Sequence, residues 1–110
     1  MLIFKIIPAL KSHLNKIKND GKQIGFVPTM GALHEGHLSL VRESLISDDC
    51  TVVSIFLNPT QFNNPRDLKT YPSDIERDIK LLESLNGNII LFNPNSRDLY
   101  SGNIKTCLLY

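Results

Sequence analysis

Apolar and polar positions along this chain keep two alternating rhythms. Short runs rich in β-branched and aromatic residues, bounded by turn formers, alternate with stretches whose apolar residues recur roughly every three or four positions. Leu2 to Ile7 reads as a first strand, and Pro8 suits the first turn of a helix, where its missing N–H would lack a partner anyway. Leu10, Leu14 and Ile17 give that helix one apolar side, and Asn19-Asp20-Gly21 supplies its stop. A second run, Ile24 to Val27, ends at Pro28 and passes through Thr29 and Gly31 into a helix marked by Leu38, Val41 and Leu45. Asp48-Asp49 is a turn, and Thr51 to Leu57 is a strand covered on both faces, because its apolar run hardly alternates. Asn58-Pro59 ends it. The polar loop from Thr60 to Pro72, with Asn63-Asn64-Pro65 as a turn, is long for a compact domain, and long loops after a parallel strand are more often functional than idle. Ser73-Asp74-Ile75-Glu76 has the pattern of a capping box. It opens a helix with Ile75, Ile79 and Leu82 as its buried stripe and Gly87 as its stop. Asn88 to Phe92 is a fourth strand, and Asn93-Pro94-Asn95-Ser96 turns toward a brief helical piece near Arg97 to Tyr100.

Strands alternating with helices predict an α/β fold, a Rossmann-like parallel sheet with helices on its faces. The 110 residues suffice for one small domain. An apolar run, Thr106 to Tyr110, follows with nothing after it to cover it. The expectation is therefore that residues 1–110 are the front part of a longer protein; a C-terminal strand on the sheet edge is the other reading. Hydrophobic residues make up 42% and charged residues 21%, as in an ordinary globular protein. A net charge of +1 advertises neither nucleic acid nor an anionic membrane as partner. Cys50 and Cys107, far apart and without a Cys-x-x-Cys spacing, read as reduced thiols of a cytoplasmic protein. Lys5 and Pro8 interrupt the apolar start before a signal-peptide core could form, and no run approaches a membrane span.

Chemistry concentrates between Gly25 and Leu45. A strand feeding a glycine turn and then a helix places backbone N–H groups outward at the helix start, where an anion can sit. His34 and His37 stand at i and i+3 there, on one side of the helix. Gly36 lies between them, costing about 1 kcal/mol against alanine, and a ligand close to bare backbone is the usual reason for accepting that. Three roles are open for the pair: donating hydrogen bonds to phosphate, sharing a metal ion, or facing solvent as ordinary helix histidines. A zinc site would want three or four ligands, neither cysteine stands at ligand spacing, and the pattern falls one residue short of His-Glu-x-x-His. No metal site is expected. His13 reads as a surface histidine. Asn58 and Gln61 close a strand and open a loop at the carboxyl edge of the sheet, where their amides either serve turn chemistry or pair with a small polar acid. Arg66, Asp67, Lys69 and Arg77 read as solvated charges, and Phe56, Phe62 and Tyr71 as packing residues, since no basic patch accompanies them.

The run Pro28-Thr29-Met30-Gly31-Ala32-Leu33-His34-Glu35-Gly36-His37 resembles the signature of the pantothenate synthetase (pantoate–β-alanine ligase) family. Its last four residues are that family's form of the His-x-Gly-His motif of nucleotidylyltransferases. Ser54 to Phe62 and Tyr71-Pro72 extend the resemblance, which covers Met1 to about Tyr100. The resemblance implies the first half of a nucleotidylyltransferase-type domain. It implies a homodimeric ligase that uses ATP with Mg²⁺ to convert pantoate to pantoyl adenylate, which β-alanine then attacks, giving pantothenate and AMP. No tightly bound prosthetic group is implied. Pro28, Thr29, Met30, Gly31, Ala32, Leu33, His34, Glu35, Gly36 and His37 would line the ATP site. Within that stretch His37 would engage phosphate most directly, with His34 as its partner. Gln61 and Met30 would hold pantoate, and Asn58 would lie near the phosphates and magnesium.

The sequence departs from the family pattern at Thr60, often Met there, and at Ser73, usually Arg. Family members continue with a Gly-Glu-Lys-Asp-x-Gln-Gln segment, a Met-Ser-x-Arg-Asn loop and a small C-terminal domain, none of which lies within residues 1–110. Without the phosphate lysine, second pantoate glutamine and lid that those parts carry, the expectation is an inactive front half. A nucleotidylyltransferase for another substrate is the competing enzyme reading, although a phosphorylated substrate would call for Arg or Lys where Asn58-Pro59-Thr60-Gln61 stands. A non-catalytic nucleotide-binding or dimerisation fragment is the other.

Overall fold

A computed structural model describes residues 1–56 and 74–94. Seven elements follow in the order β1 (Leu2–Phe4), α1 (Ile7–Asn19), β2 (Ile24–Thr29), α2 (Glu35–Ser47), β3 (Cys50–Ile55), α3 (Ile75–Glu83) and β4 (Ile89–Phe92). The strands form one parallel sheet in the order β1-β4-β3-β2. The α/β parallel-sheet expectation holds.

The sheet is the middle of three layers, and alternation along its strands says which side chain goes where. Cys50 and Val52 of β3, with Ile90 and Phe92 of β4, face α1 and its Ile7, Leu10 and Leu14. Val53 and Ile55, with Ile89 and Leu91, face Leu38 and Val41 of α2 and Leu82 of α3. Every residue of β3 and β4 is buried, which is why their sequences read as continuous apolar runs. Cys50 is a free thiol, and burial pushes its pKa up.

Several local expectations shift. The first strand stops at Phe4 rather than Ile7, because Ile6 caps α1 and Ile7 turns inward as its first buried residue. Pro8 does fall in the first helical turn. β2 does not end at Val27: it runs through Pro28, which pairs in register with Ser54, to Thr29. The Thr29 carbonyl accepts from the Phe56 N–H at 3.0 Å, so Thr29 faces β3 and Pro28 points the opposite way. Among the described strands β2 is an edge, and there a missing N–H costs no ladder bond. The cap of α3 is Asp74, whose carboxylate accepts from the Arg77 N–H at 3.1 Å, and Ser73 lies outside the described residues. That helix ends at Glu83, and Asn86, not Gly87, takes the left-handed conformation, with φ 53°. Gly87 serves packing instead: a Cβ there would stand 2.4 Å from Leu45 Cδ1. His13 is half-buried, its ring centroid 5.4 Å from that of Phe4. Among the described residues, no helix is long and apolar enough to cross a membrane.

Candidate functional site

Residues 30 to 37 follow the carboxyl end of β2, and several backbone groups there have specific partners. The Thr29 hydroxyl donates to the Ser54 carbonyl at 2.9 Å and accepts from the Gly31 N–H at 3.1 Å. It therefore ties the start of the turn to β3. Gly31 takes φ 87°, and a Cβ there would crowd Ile55 Cγ2 at 3.2 Å. Ala32 follows at φ 51°, in the left-handed region a β-carbon disfavours. Leu33 then drops its side chain into the core at 1% exposure, fixing the depth at which α2 begins.

His34 is the N-cap of α2, not a residue within it. Its Nδ1 accepts from the Gly36 N–H at 3.0 Å, while Nδ1 of His37 reaches back to accept from the His34 N–H at 3.2 Å. This is a capping box built from two imidazoles, in place of the usual hydroxyl and carboxylate. The expected row of outward, unpartnered amides is thus partly consumed by the histidines. Gly36 gains a different explanation from ligand approach: a Cβ there would stand 2.8 Å from His34 Cε1. The His34 ring occupies that space.

The box also assigns the tautomers. Both Nδ1 atoms accept, so each carries a lone pair, and each neutral ring holds its proton on Nε2. The rings lie 4.1 Å apart between centroids, tilted by 38°. The result is a pair of N–H donors at the rim of the turn. Burial and the neighbouring His34 hold the His37 pKa below 6.5, and the Asp78 carboxylate opposes them in part. The neutral, donating form is favoured. Glu35, exposed, pairs with Arg42, which lowers its pKa.

Two residues of α3 complete the turn, and sequence reasoning missed their part. Asp78 is 1% exposed and accepts from the Ala32 N–H at 3.2 Å and the Leu33 N–H at 3.0 Å. Arg77, expected to be a solvated charge, stays half exposed but donates from Nη1 to the Leu33 carbonyl at 3.0 Å and approaches Asp78 at 3.4 Å. The available signal was a carboxylate at position 78, inside the Ile75, Ile79, Leu82 stripe where apolar residues belong. Pro28 is exposed, and Met30 and Ala32 are half-buried. Asn58, Gln61, Thr60, Phe62, Arg66, Asp67, Lys69, Tyr71, Cys107 and the Thr106–Tyr110 run lie outside the described residues. Among the described residues no group of three or more His, Cys, Asp or Glu side chains is placed to hold a metal ion.

Comparison with known proteins bears on the family. Residues 2–109 match the family described as Pantoate-beta-alanine ligase. The chain is 55% identical over 102 residues to the pantothenate synthetase of Flavobacterium psychrophilum, covering 93% of this chain and 36% of that protein. A crystal structure of pantoate-beta-alanine ligase from Francisella tularensis, complexed with beta-gamma ATP and beta-alanine, superposes with a TM-score of 0.83. It shares 48% identity and covers 94% of this chain and 39% of its own. Pantothenate synthetase from Thermus thermophilus gives a TM-score of 0.79 at 37% identity, over 91% of this chain and 34% of its own. The chain thus spans little more than a third of the length of these relatives.

Proposed function

We propose a function for this chain on one premise: it belongs to the pantoate–β-alanine ligase family. Residues 1–110 form the N-terminal part of a Rossmann-like domain that binds ATP and pantoate, and segments that relatives carry beyond this region complete the site. The reaction condenses pantoate with β-alanine in two steps. A pantoate carboxylate oxygen attacks the α-phosphorus of ATP, forming pantoyl adenylate and releasing pyrophosphate. The β-alanine amine then attacks the acyl carbon, loses a proton, and expels AMP to leave pantothenate. Mg²⁺ enters with the nucleotide as part of the substrate, held by phosphate oxygens.

The observation that carries this reading is the imidazole capping box. It engages both Nδ1 atoms and leaves the two Nε2 atoms for a ligand at the helix start, the side of the sheet where open α/β folds bind ligands. Most of the first step is positioning and charge stabilisation, and preset donors that need no reorganisation supply that. His37 is assigned the phosphate contact and His34 the partner role. Pro28, Thr29, Met30, Gly31, Ala32, Leu33, Glu35 and Gly36 form the nucleotide wall, Leu33 through its backbone, since its side chain is in the core. The family resemblance adds Gln61 and Met30 for pantoate and Asn58 near the phosphates. A homodimer in the cytoplasm is part of the same reading.

Pantoate-dependent exchange of pyrophosphate into ATP tests it, in a version carrying the segments found in relatives. His37→Ala should lower exchange by about 10²–10³, the usual cost of one transition-state donor, with much less effect on pantoate binding. Exchange unchanged by the substitution, or independent of pantoate, would overturn the assignment.

A further inference from the structure

We propose that Asp78 is a positioning residue of this site, its buried carboxylate holding the Gly31–His34 turn in the shape that sets the two histidines. The link to ATP rests on the reading above; the link to the histidines rests on geometry alone. The carboxylate reaches across the fold to a segment 45 and 46 residues away, taking the Leu33 N–H on Oδ1 and the Ala32 N–H on Oδ2. Two successive amides converging on one anion make a small nest. Here the anion is the protein's own.

The turn needs such a partner. Ala32 sits at φ 51° beside Gly31 at φ 87°, a conformation that persists only where surrounding contacts over-determine it. The carboxylate supplies two of those contacts, and Arg77 supplies a third through the Leu33 carbonyl. Leu33 directly precedes His34, so the amide that Asp78 grips lies one residue from the amide that His37 caps. A shift of the turn would move the His34 N–H away from the His37 ring. Asp78 also acts on His37 through space, favouring its protonated form against burial and His34.

Asp78→Asn is nearly isosteric and separates the two roles. Its single oxygen accepts from one amide, while its NH₂ faces the other N–H, donor against donor. NMR titration of the histidine ring nitrogens should then show the His37 midpoint falling below its wild-type value. Exchange of the Ala32 and Leu33 amides should quicken. In a version carrying the segments found in relatives, affinity for MgATP, measured by calorimetry, should drop about tenfold, the worth of one charged hydrogen bond. Arg77→Met keeps the stem and the Asp78 charge, so it should quicken exchange at Leu33 while leaving the His37 midpoint in place. If Asp78→Asn fails to fold, the Arg77→Met pattern and slow Ala32 and Leu33 exchange in the wild type carry the test. Fast wild-type exchange at both amides, or an unchanged His37 midpoint in folded Asp78→Asn, would overturn the proposal. A falling midpoint in a version that carries the segments found in relatives yet binds no MgATP would overturn the adenylation reading and leave the role of Asp78 standing.

Discussion

Acid should unfasten the start of α2 before it unfolds the sheet, and His37 is the group that makes it so. Protonation turns Nδ1 from an acceptor into a donor, directly facing the His34 N–H that it now accepts at 3.2 Å. The His37 pKa is depressed from 6.5 in the folded chain, by burial first and the neighbouring His34 second, with Asp78 opposing. Above the unfolded value both states are neutral and the contribution of His37 is fully present. As pH falls below that value the unfolded chain binds its proton first. The contribution is lost by the time pH has passed through the lower, folded value. A neutral hydrogen bond contributes about 0.5–1.5 kcal/mol net. The ring is partly open to water, so the lower half of that range applies, about 0.5–1 kcal/mol. In a domain of this size that corresponds to roughly 2–8 °C in Tm. Urea midpoints of the wild type and His37→Asn, compared from about pH 8 to about pH 5, isolate the effect. Asn accepts the same N–H without titrating, and acid effects at groups away from the histidine pair cancel in the difference. The wild type should lose stability relative to the variant on acidification. Parallel profiles, or a wild type that gains, would refute the reasoning.

Gly36→Ala should add about 1 kcal/mol of helix propensity, yet its Cβ would stand 2.8 Å from His34 Cε1, so the His34 ring must leave its cap. Little net change in the urea midpoint with altered His34 ring resonances is expected; a plainly stabilised protein with unmoved His34 resonances would contradict it. Gln61→Ala, in a version with the remaining segments, should raise the apparent KM for pantoate by the cost of an unpaired partner, about 1–3 kcal/mol, and leave ATP binding nearly untouched. Equal losses for both ligands by calorimetry would remove Gln61 from the pantoate site.

Features that depend on neighbours along the chain were legible in the order of residues. The runs at Thr51 and Asn88 are unbroken because β3 and β4 are covered on both faces, and burial leaves no polar alternation to misread. Leu10, Leu14, Leu38, Val41 and Leu82 fall at helical spacing because each helix buries one side on that sheet. The family resemblance, carried by Pro28 to His37, is borne out over residues 2–109. Tertiary structure decided what depends on partners distant in sequence. Pro28 belongs to β2 because β2 is an edge among the described strands, and edge position is a property of the sheet order. His34 caps α2 from outside and His37 closes the cap from within its first turn, because the turn before them fixes where the helix starts. Asp78 draws no reading from the sequence, while its neighbour Arg77 reads as a solvated charge. The Asp78 contacts form only when α3 packs over the turn and meets two amides 45 and 46 residues away, one of them buried and in need of an acceptor.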